Sequence, residues 1–239
     1  MLVKKTTLDG IMIKNLLFDL DDTLFDFHAS ERESLKDTLV HFGIEPTDEA
    51  LALYSEVNRG QWKLLELGKT TKPQLKIDRY RIFFERIGVD VEAPVAADFY
   101  ENRLSRSAIL TQGAVELLDA LRGKYRLYLI TNGFSVIQRG RLAASGIENY
   151  FDGIFVSEEM GADKPTLQYF DKCFAAIDGF NRSESLVIGD SLSSDIKGGI
   201  AAGVGTVWYN PHGDIAGDIV PDYEIRTLAE LEDLLDSID

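Results

Sequence analysis

The sequence predicts an α/β protein, a doubly wound parallel sheet with an all-helical segment inserted after its first strand. Three observations predict it. Leu16-Leu17-Phe18 is an unbroken apolar run that reads as the end of a parallel strand buried on both faces. From Phe27 to Ser107, apolar residues recur at helical spacing with no strand pattern between them. Beyond Gly113, helical stripes alternate with short apolar strands, the rhythm that builds a parallel sheet covered by helices on both sides.

Taken in order, residues 1–12 match no element, and Met12 stands immediately before the first strand. That segment reads as a frayed extension or an artefact of start-site choice. Strand one follows at about Lys14–Leu20. Helical faces then come from Leu35, Leu39 and Phe42, and from Leu51, Tyr54, Val57 and Trp62. Ile82, Phe83, Phe84 and Ile87 make another, and Phe99, Tyr100 and Leu104 the last. They amount to about four helices, enough for a small domain of their own. The division expected is a core of 1–26 and 108–239 and a helical cap of 27–107.

The second half begins with a stripe of Val115, Leu118 and Leu121, followed by a strand at Leu127–Thr131 and a helix near Val136–Ser145. A strand at Gly153–Val156 and a helix around Thr166–Ile177 come next. Strand Ser185–Ile188 leads into a helix carrying Ile196, Ile200 and Val204, and then strand Gly205–Tyr209. A weak strand at Tyr223–Ile225 and a helix from Leu228 to Leu235 end the chain.

Composition narrows the classes. A chain of 239 residues, 45% of them hydrophobic, supports one or two domains with an ordinary core. A net charge of -15 repels polyphosphate backbones and anionic lipid, so neither a nucleic-acid polymer nor a membrane is an expected partner. Charges interrupt every apolar run well short of about 18 residues, and Lys4-Lys5 follow Leu2-Val3 with no signal-like apolar stretch. The one cysteine, Cys173, shares helical spacing with Phe170, Phe174 and Ile177 and reads as core packing. The expectation is a cytoplasmic protein, a monomer or weak homo-oligomer.

In open parallel sheets, ligands bind beyond the carboxyl ends of the strands, and polar residues collect at those ends here. Strand one delivers Asp19 and Asp21, which a two-residue repeat points toward one side. The next delivers Thr131-Asn132-Gly133. A later loop carries Lys164-Pro165, and strand Ser185–Ile188 delivers Gly189-Asp190-Ser191 with Asp195 beyond. Each has an ordinary alternative: Asn132-Gly133 as a turn, Lys164 as a solvated charge, Asp190 or Ser191 as a helix cap. Their coincidence at four strand ends favours a site. Two close carboxylates also need a cation or a shared proton between them.

Asp19-Leu20-Asp21-Asp22-Thr23-Leu24, Ile130-Thr131-Asn132-Gly133, Lys164-Pro165 and Gly189-Asp190-Ser191-Leu192-Ser193-Ser194-Asp195 resemble, in order and spacing, the four motifs of the haloacid dehalogenase-like hydrolases. The resemblance spans the chain, including the helical cap after the first motif. Asp22 departs from the glycine many members carry. The resemblance implies Asp19 as a nucleophile forming an aspartyl-phosphate, with Asp21 protonating the leaving group and then activating water. It also implies Mg²⁺ held by Asp19, the Asp21 backbone carbonyl and Asp190, with Asp195 orienting ligands close by. Thr131 and Asn132 would bind phosphoryl oxygens, and Lys164 would offset transition-state charge. Asp21 also separates phosphate-ester hydrolysis from dehalogenation, in which halide leaves without a proton.

Asp22 to Phe27, Ile130 to Phe134, Val156 to Gly161 and Trp208 to His212 look like the bacterial pyrimidine 5′-nucleotidase branch, which implies a nucleoside monophosphate as the small-molecule substrate. Phe25, Phe27, Trp62 and Arg103 are candidates by type to contact it; each could equally be cap core or surface charge. His28, His41 and His212 are too scattered for a metal site. The rivals are a sugar-phosphate phosphatase or phosphomutase on the same core, and a phosphate-binding regulatory module.

Overall fold

The sheet grows outward from β1 (Asn15–Phe18) in a computed structural model that describes residues 12–238. The reading of residues 1–12 falls, Met12 apart, outside those residues. Leu16 and Phe18 enter one buried apolar cluster and Leu17 the other, the two-residue alternation of a strand. Because both faces are covered, the strand has no polar side to show, and its sequence is apolar throughout.

The other strands are β2 (Arg126–Thr131), β3 (Gly153–Val156), β4 (Ser185–Gly189), β5 (Gly205–Tyr209) and β6 (Tyr223–Ile225). Among the described residues they form one six-stranded sheet in the order β3-β2-β1-β4-β5-β6, every pairing parallel. Phe18 is level with Leu129 on one side and Ile188 on the other, so β1 and β4 end within a residue of each other and β2 runs on to Thr131. The winding reverses direction at β1. That makes the crevice beyond Phe18 the topological switch point.

Between β1 and β2 the chain forms α1 (Phe27–His41), α2 (Asp48–Glu66), α3 (Lys72–Ile87) and α4 (Ala93–Leu104). Asp26, Thr47 and Thr71 cap the first three, their side chains accepting from Ala29, Ala50 and Gln74 backbone N–H groups. The four helices bury a cluster centred on Leu35, Leu39, Leu51, Tyr54, Phe83 and Tyr100, which Ile137 joins from outside the segment. The chain enters and leaves this segment as a short ribbon. Asp26 N donates to Ile109 O at 3.0 Å, Thr111 N donates to Leu24 O at 2.9 Å, and Phe25 bridges Leu110 between them.

The remaining helices are α5 (Ala114–Leu121), α6 (Ser135–Ser145), α7 (Ser157–Met160), α8 (Leu167–Ala175), α9 (Lys197–Ala202) and α10 (Ala229–Ile238). α5 and α10 cover one face of the sheet, α8 and α9 the other. Cys173 is fully buried against Phe170 and Phe174, as its spacing predicts.

Two expected stripes face differently. Val115 is exposed, and α5 packs through Leu117, Leu118 and Leu121. Ile200 is also exposed, and Val204 lies past the end of α9. That helix docks through Gly198 and Gly199 instead: an added Cβ would stand 2.3 Å from Phe170 and 2.7 Å from Thr206. Closeness, with no side chain between, is what holds it to the sheet.

Candidate active site

The carboxyl ends of β1 and β4 and the loop that follows β3 and α7 bring Asp19, Lys164, Asp190 and Asp195 together. Asp19 N donates to Ile188 O at 2.8 Å, which carries the ladder one residue past β1 and fixes where its carboxylate starts. Lys164 Nζ, 2% exposed, spends its three protons on Asp19 Oδ1 at 2.5 Å, Asp195 Oδ1 at 2.7 Å and Ile130 O at 2.8 Å. Ligand oxygens of Asp19, Asp190 and Asp195 lie within 4.8 Å of one another. An all-oxygen set this close suits a hard divalent cation.

Asp195 is reached by close packing. It lies on a turn of π-helix, Leu192–Ile196, and an added Cβ at Gly189 would meet its carboxylate at 2.4 Å. Asp190 is steadied by Thr23, whose hydroxyl accepts from Asp190 N at 3.1 Å, and by Trp208 Nε1, which donates to Asp190 O at 2.7 Å.

These groups bear strongly on one another. Burial pushes Asp19 up to about 8, with Asp195 adding repulsion and Lys164 opposing both. Burial likewise raises Asp190 well above the carboxylate range, and Asp19 and Asp195 add to it. Burial pulls Lys164 down, yet Asp19 and Asp195 outweigh it, and the ammonium stays charged. The consequence for pH follows from the sign. Asp19 binds a proton in the fold between its ordinary value of about 4 and about 8, where the unfolded chain does not, so the metal-free fold loses stability as pH rises through that window. A divalent cation must displace those protons. The gain in Tm on adding Mg²⁺ is therefore expected to be larger at pH 8 than at pH 5.5, with protons released on binding. Melts in EDTA and in Mg²⁺ at both pH values check it; equal gains would refute it.

Asp21 stands apart from the acidic cluster. One oxygen accepts from Arg141 Nη1, the other from Gln138 Nε2 at 2.7 Å, and Gln138 also donates to Thr131 Oγ1 at 2.8 Å. Arg141 is fully buried, its guanidinium 4.5 Å from the centre of the Phe25 ring. These contacts aim the Asp21 carboxylate and leave lone pairs free for a proton. Gln138 and Arg141 escaped the sequence reading. Their signal was two polar side chains one helical turn apart on a buried face of α6 that also carries Ile137 and Leu142.

The side chain of Asn132 straps the lysine loop: Nδ2 donates to Lys164 O and Oδ1 accepts from Lys164 N, both at 2.9 Å. Asp22 has φ +58°, the left-handed conformation that glycine adopts at least cost. Its carboxylate accepts from Phe27 and His28 backbone N–H groups at 3.1 and 3.3 Å, tying the switch-point loop to the start of α1.

A cavity of about 460 Å³ lies between the strand ends and the inserted helices. Asp19, Asp21, Lys164 and Asp190 line one side; Phe27, Glu31, Asn58, Trp62 and Arg79 line the other. Two candidates are thereby corrected. Phe25 is buried beneath Arg141, and Arg103 points to solvent, where it pairs with Asp37. Phe27 and Trp62 do face the cavity. Of the histidines, His28 lines it, whereas His41 stacks on Phe99 at 4.0 Å. The helices also touch the far rim: Ser193 Oγ donates to Glu66 Oε2 at 3.1 Å, and Lys72 Nζ pairs with Asp163 at 2.7 Å.

Comparison with known proteins agrees with this geometry. The model of the haloacid dehalogenase-like hydrolases matches residues 13–203. Pyrimidine 5′-nucleotidase PynA of Streptococcus pneumoniae is 39% identical over 225 residues, 93% of this chain and 95% of that one. Pyrimidine 5′-nucleotidase YjjG of Escherichia coli is 35% identical, covering 92% of this chain and 96% of its own. Among solved structures, YfnB of Bacillus subtilis bound to magnesium superposes with a TM-score of 0.90 at 37% identity, covering 94% of this chain and 99% of that one. Among the described residues, no helix is long and apolar enough to cross a membrane.

Proposed function

We infer the reaction from one premise: the chain belongs to the haloacid dehalogenase-like hydrolase family. We propose that it hydrolyses phosphate monoesters, and that its substrates are pyrimidine nucleoside 5′-monophosphates. The observation that carries the chemistry is the buried array of Asp19, Lys164, Asp190 and Asp195 opening into a cavity at the switch point. The likeness to PynA and YjjG carries the choice of nucleotide. The boundaries proposed between core and cap fall at 26/27 and 107/108, and the apolar cluster built almost wholly from α1–α4 supports them.

In this reading Asp19 attacks phosphorus in line with the departing ester oxygen and becomes an aspartyl-phosphate. Asp21 gives its proton to the leaving oxygen, then takes one from the water that hydrolyses the acyl phosphate. Arg141 and Gln138 hold Asp21 at the angle this exchange needs. Lys164 offsets negative charge as the phosphoryl group crosses, and Thr131 and Asn132 donate to its oxygens. Asp19, Asp190 and the Asp21 carbonyl would hold Mg²⁺, with Asp195 close behind; bound there, the cation screens the phosphate from the carboxylate attacking it.

Phosphate release across nucleoside and sugar monophosphates, with Mg²⁺ and with EDTA, tests the proposal. Pyrimidine nucleotides are expected to lead, and EDTA to abolish release. Sugar phosphates in the lead would overturn the nucleotide assignment alone. No release from any ester would overturn the phosphatase reading.

A further inference from the structure

One stripe of α2 lines the cavity along its length. Ser55, Asn58, Arg59, Trp62, Lys63 and Glu66 recur at helical spacing, and all border the open space. Buried Tyr54, Val57 and Gln61 lie on a different stripe, against the other inserted helices. The helix also measures distance along this wall. Its last residue, Glu66, accepts from Ser193 Oγ at 3.1 Å, in the loop between Asp190 and Asp195, so that end stands beside the acidic cluster. At 1.5 Å per residue, Trp62 is about 6 Å back along the axis and Arg59 about 10 Å. In a nucleotide, likewise, the base stands one sugar ring away from its phosphate.

Trp62 meets Phe134 edge to face at 5.9 Å. Phe134 directly follows Gly133 past the carboxyl end of β2, so one ring comes from the inserted helices and the other from the core. Rings whose only task was to join the two would be buried, as Ile137 is at 4% exposure. Trp62 and Phe134 are each only half-buried, and both line the cavity. Arg59 is open in the same way. The other arginines of α1–α4, which are Arg32, Arg79, Arg81, Arg86 and Arg103, each pair with a carboxylate. Arg59 is exposed at the cavity and, among the described residues, has neither a hydrogen bond nor an ion pair. Its guanidinium is a donor set still to be used.

We propose that Trp62 and Phe134 form the apolar surface against which the nucleobase packs, and that Arg59 donates to a ring carbonyl oxygen at its outer edge. An aromatic surface accepts any flat ring, and the guanidinium adds a preference for one that carries carbonyl groups. This deepens, and rests on, the nucleotidase reading above. A sugar phosphate offers neither a ring face nor a ring carbonyl, so its turnover is independent of the three residues.

The test measures kcat/KM for uridine 5′-monophosphate and ribose 5-phosphate on the wild-type protein, Trp62→Leu and Arg59→Met, with a thermal melt of each. Trp62→Leu is expected to lower the value for the nucleotide by about tenfold or more. Arg59→Met should lower it by about threefold or more, and both should leave ribose 5-phosphate within about twofold. Arg59 is exposed, so its variant decides the matter if Trp62→Leu fails to fold. Binding is read separately from the tryptophan fluorescence of Asp19→Asn, which holds substrate without turning it over. Uridine 5′-monophosphate is expected to quench the emission and ribose 5-phosphate to leave it unchanged. The quench should vanish when Trp62→Leu is added, because the other tryptophan, Trp208, is 3% exposed in β5. Equal losses on the two esters, unchanged nucleotide kinetics, or equal quenching by both would overturn the assignment. A wild-type protein that does not favour the nucleotide over ribose 5-phosphate would sink the nucleotidase reading itself, and this inference with it.

Discussion

Replacing Asp19 by asparagine is expected to lower phosphate release by about 10⁴-fold or more and to leave no acid-stable phosphoprotein on quenching. The amide cannot form the acyl phosphate, and no neighbour can stand in: Asp195 is fully buried under Lys164, and Asp190 is spanned by Thr23 and Trp208. The fold should survive. Burial and Asp195 already disfavour the Asp19 charge, so a neutral side chain of the same shape relieves repulsion while still accepting from Lys164. In EDTA at pH 8 the variant is therefore expected to melt no lower than wild type, and to gain less from Mg²⁺. Substantial activity in Asp19→Asn, checked against back-deamidation by mass spectrometry, would remove Asp19 from the nucleophile's place.

Lys164→Met is expected to have the second largest effect, on stability as well as rate. The ammonium is the cation between Asp19 and Asp195, and it also donates to Ile130 O. Methionine fills similar volume but leaves Asp195 buried without its cation and Asp19 without its donor. Breaking one side of a buried charge pair costs about 3–5 kcal/mol. Losing a charge that balances the transition state costs about 10²–10³ in kcat. Urea unfolding in EDTA and in Mg²⁺ separates the two: the deficit should be large without metal and smaller with it. An unchanged midpoint in EDTA would mean that the lysine is not what holds the carboxylates together.

The fold was legible because its signals are local. The run at β1, the helical stripes of the inserted segment and the alternation beyond Gly113 each depend on a few adjacent residues, and the strand positions match the structure closely. The acidic cluster was legible for a related reason, since motifs at strand ends are placed by the topology. What escaped reading depends on direction. Arg103 and Arg79 are the same residue type on neighbouring helices, yet Arg103 turns outward to Asp37 while Arg79 turns inward to Asn58, and only the packing of the inserted helices decides that. Val115 and Ile200 fit a helical period but sit on its solvent side, because Leu117 and the Gly198-Gly199 pair set the contact. Gln138 and Arg141 lie just past a motif that ends at Gly133, and their partner Asp21 is more than a hundred residues away.

The ribbon at Phe25 and Leu110 has a kinetic consequence. β1 cannot meet β2 until the chain between them has closed on itself. For an unstructured stretch of about 80 residues, chain statistics put that closure at about 4 kcal/mol of lost entropy. The inserted helices reduce it, because α1–α4 bury their own cluster and finish with Asp26 and Ile109 joined backbone to backbone at 3.0 Å. Once that bundle exists, β1 and β2 are separated only by the short stretches flanking the ribbon and by α5. The same segment that lines the cavity thus shortens the search that assembles the sheet beneath it.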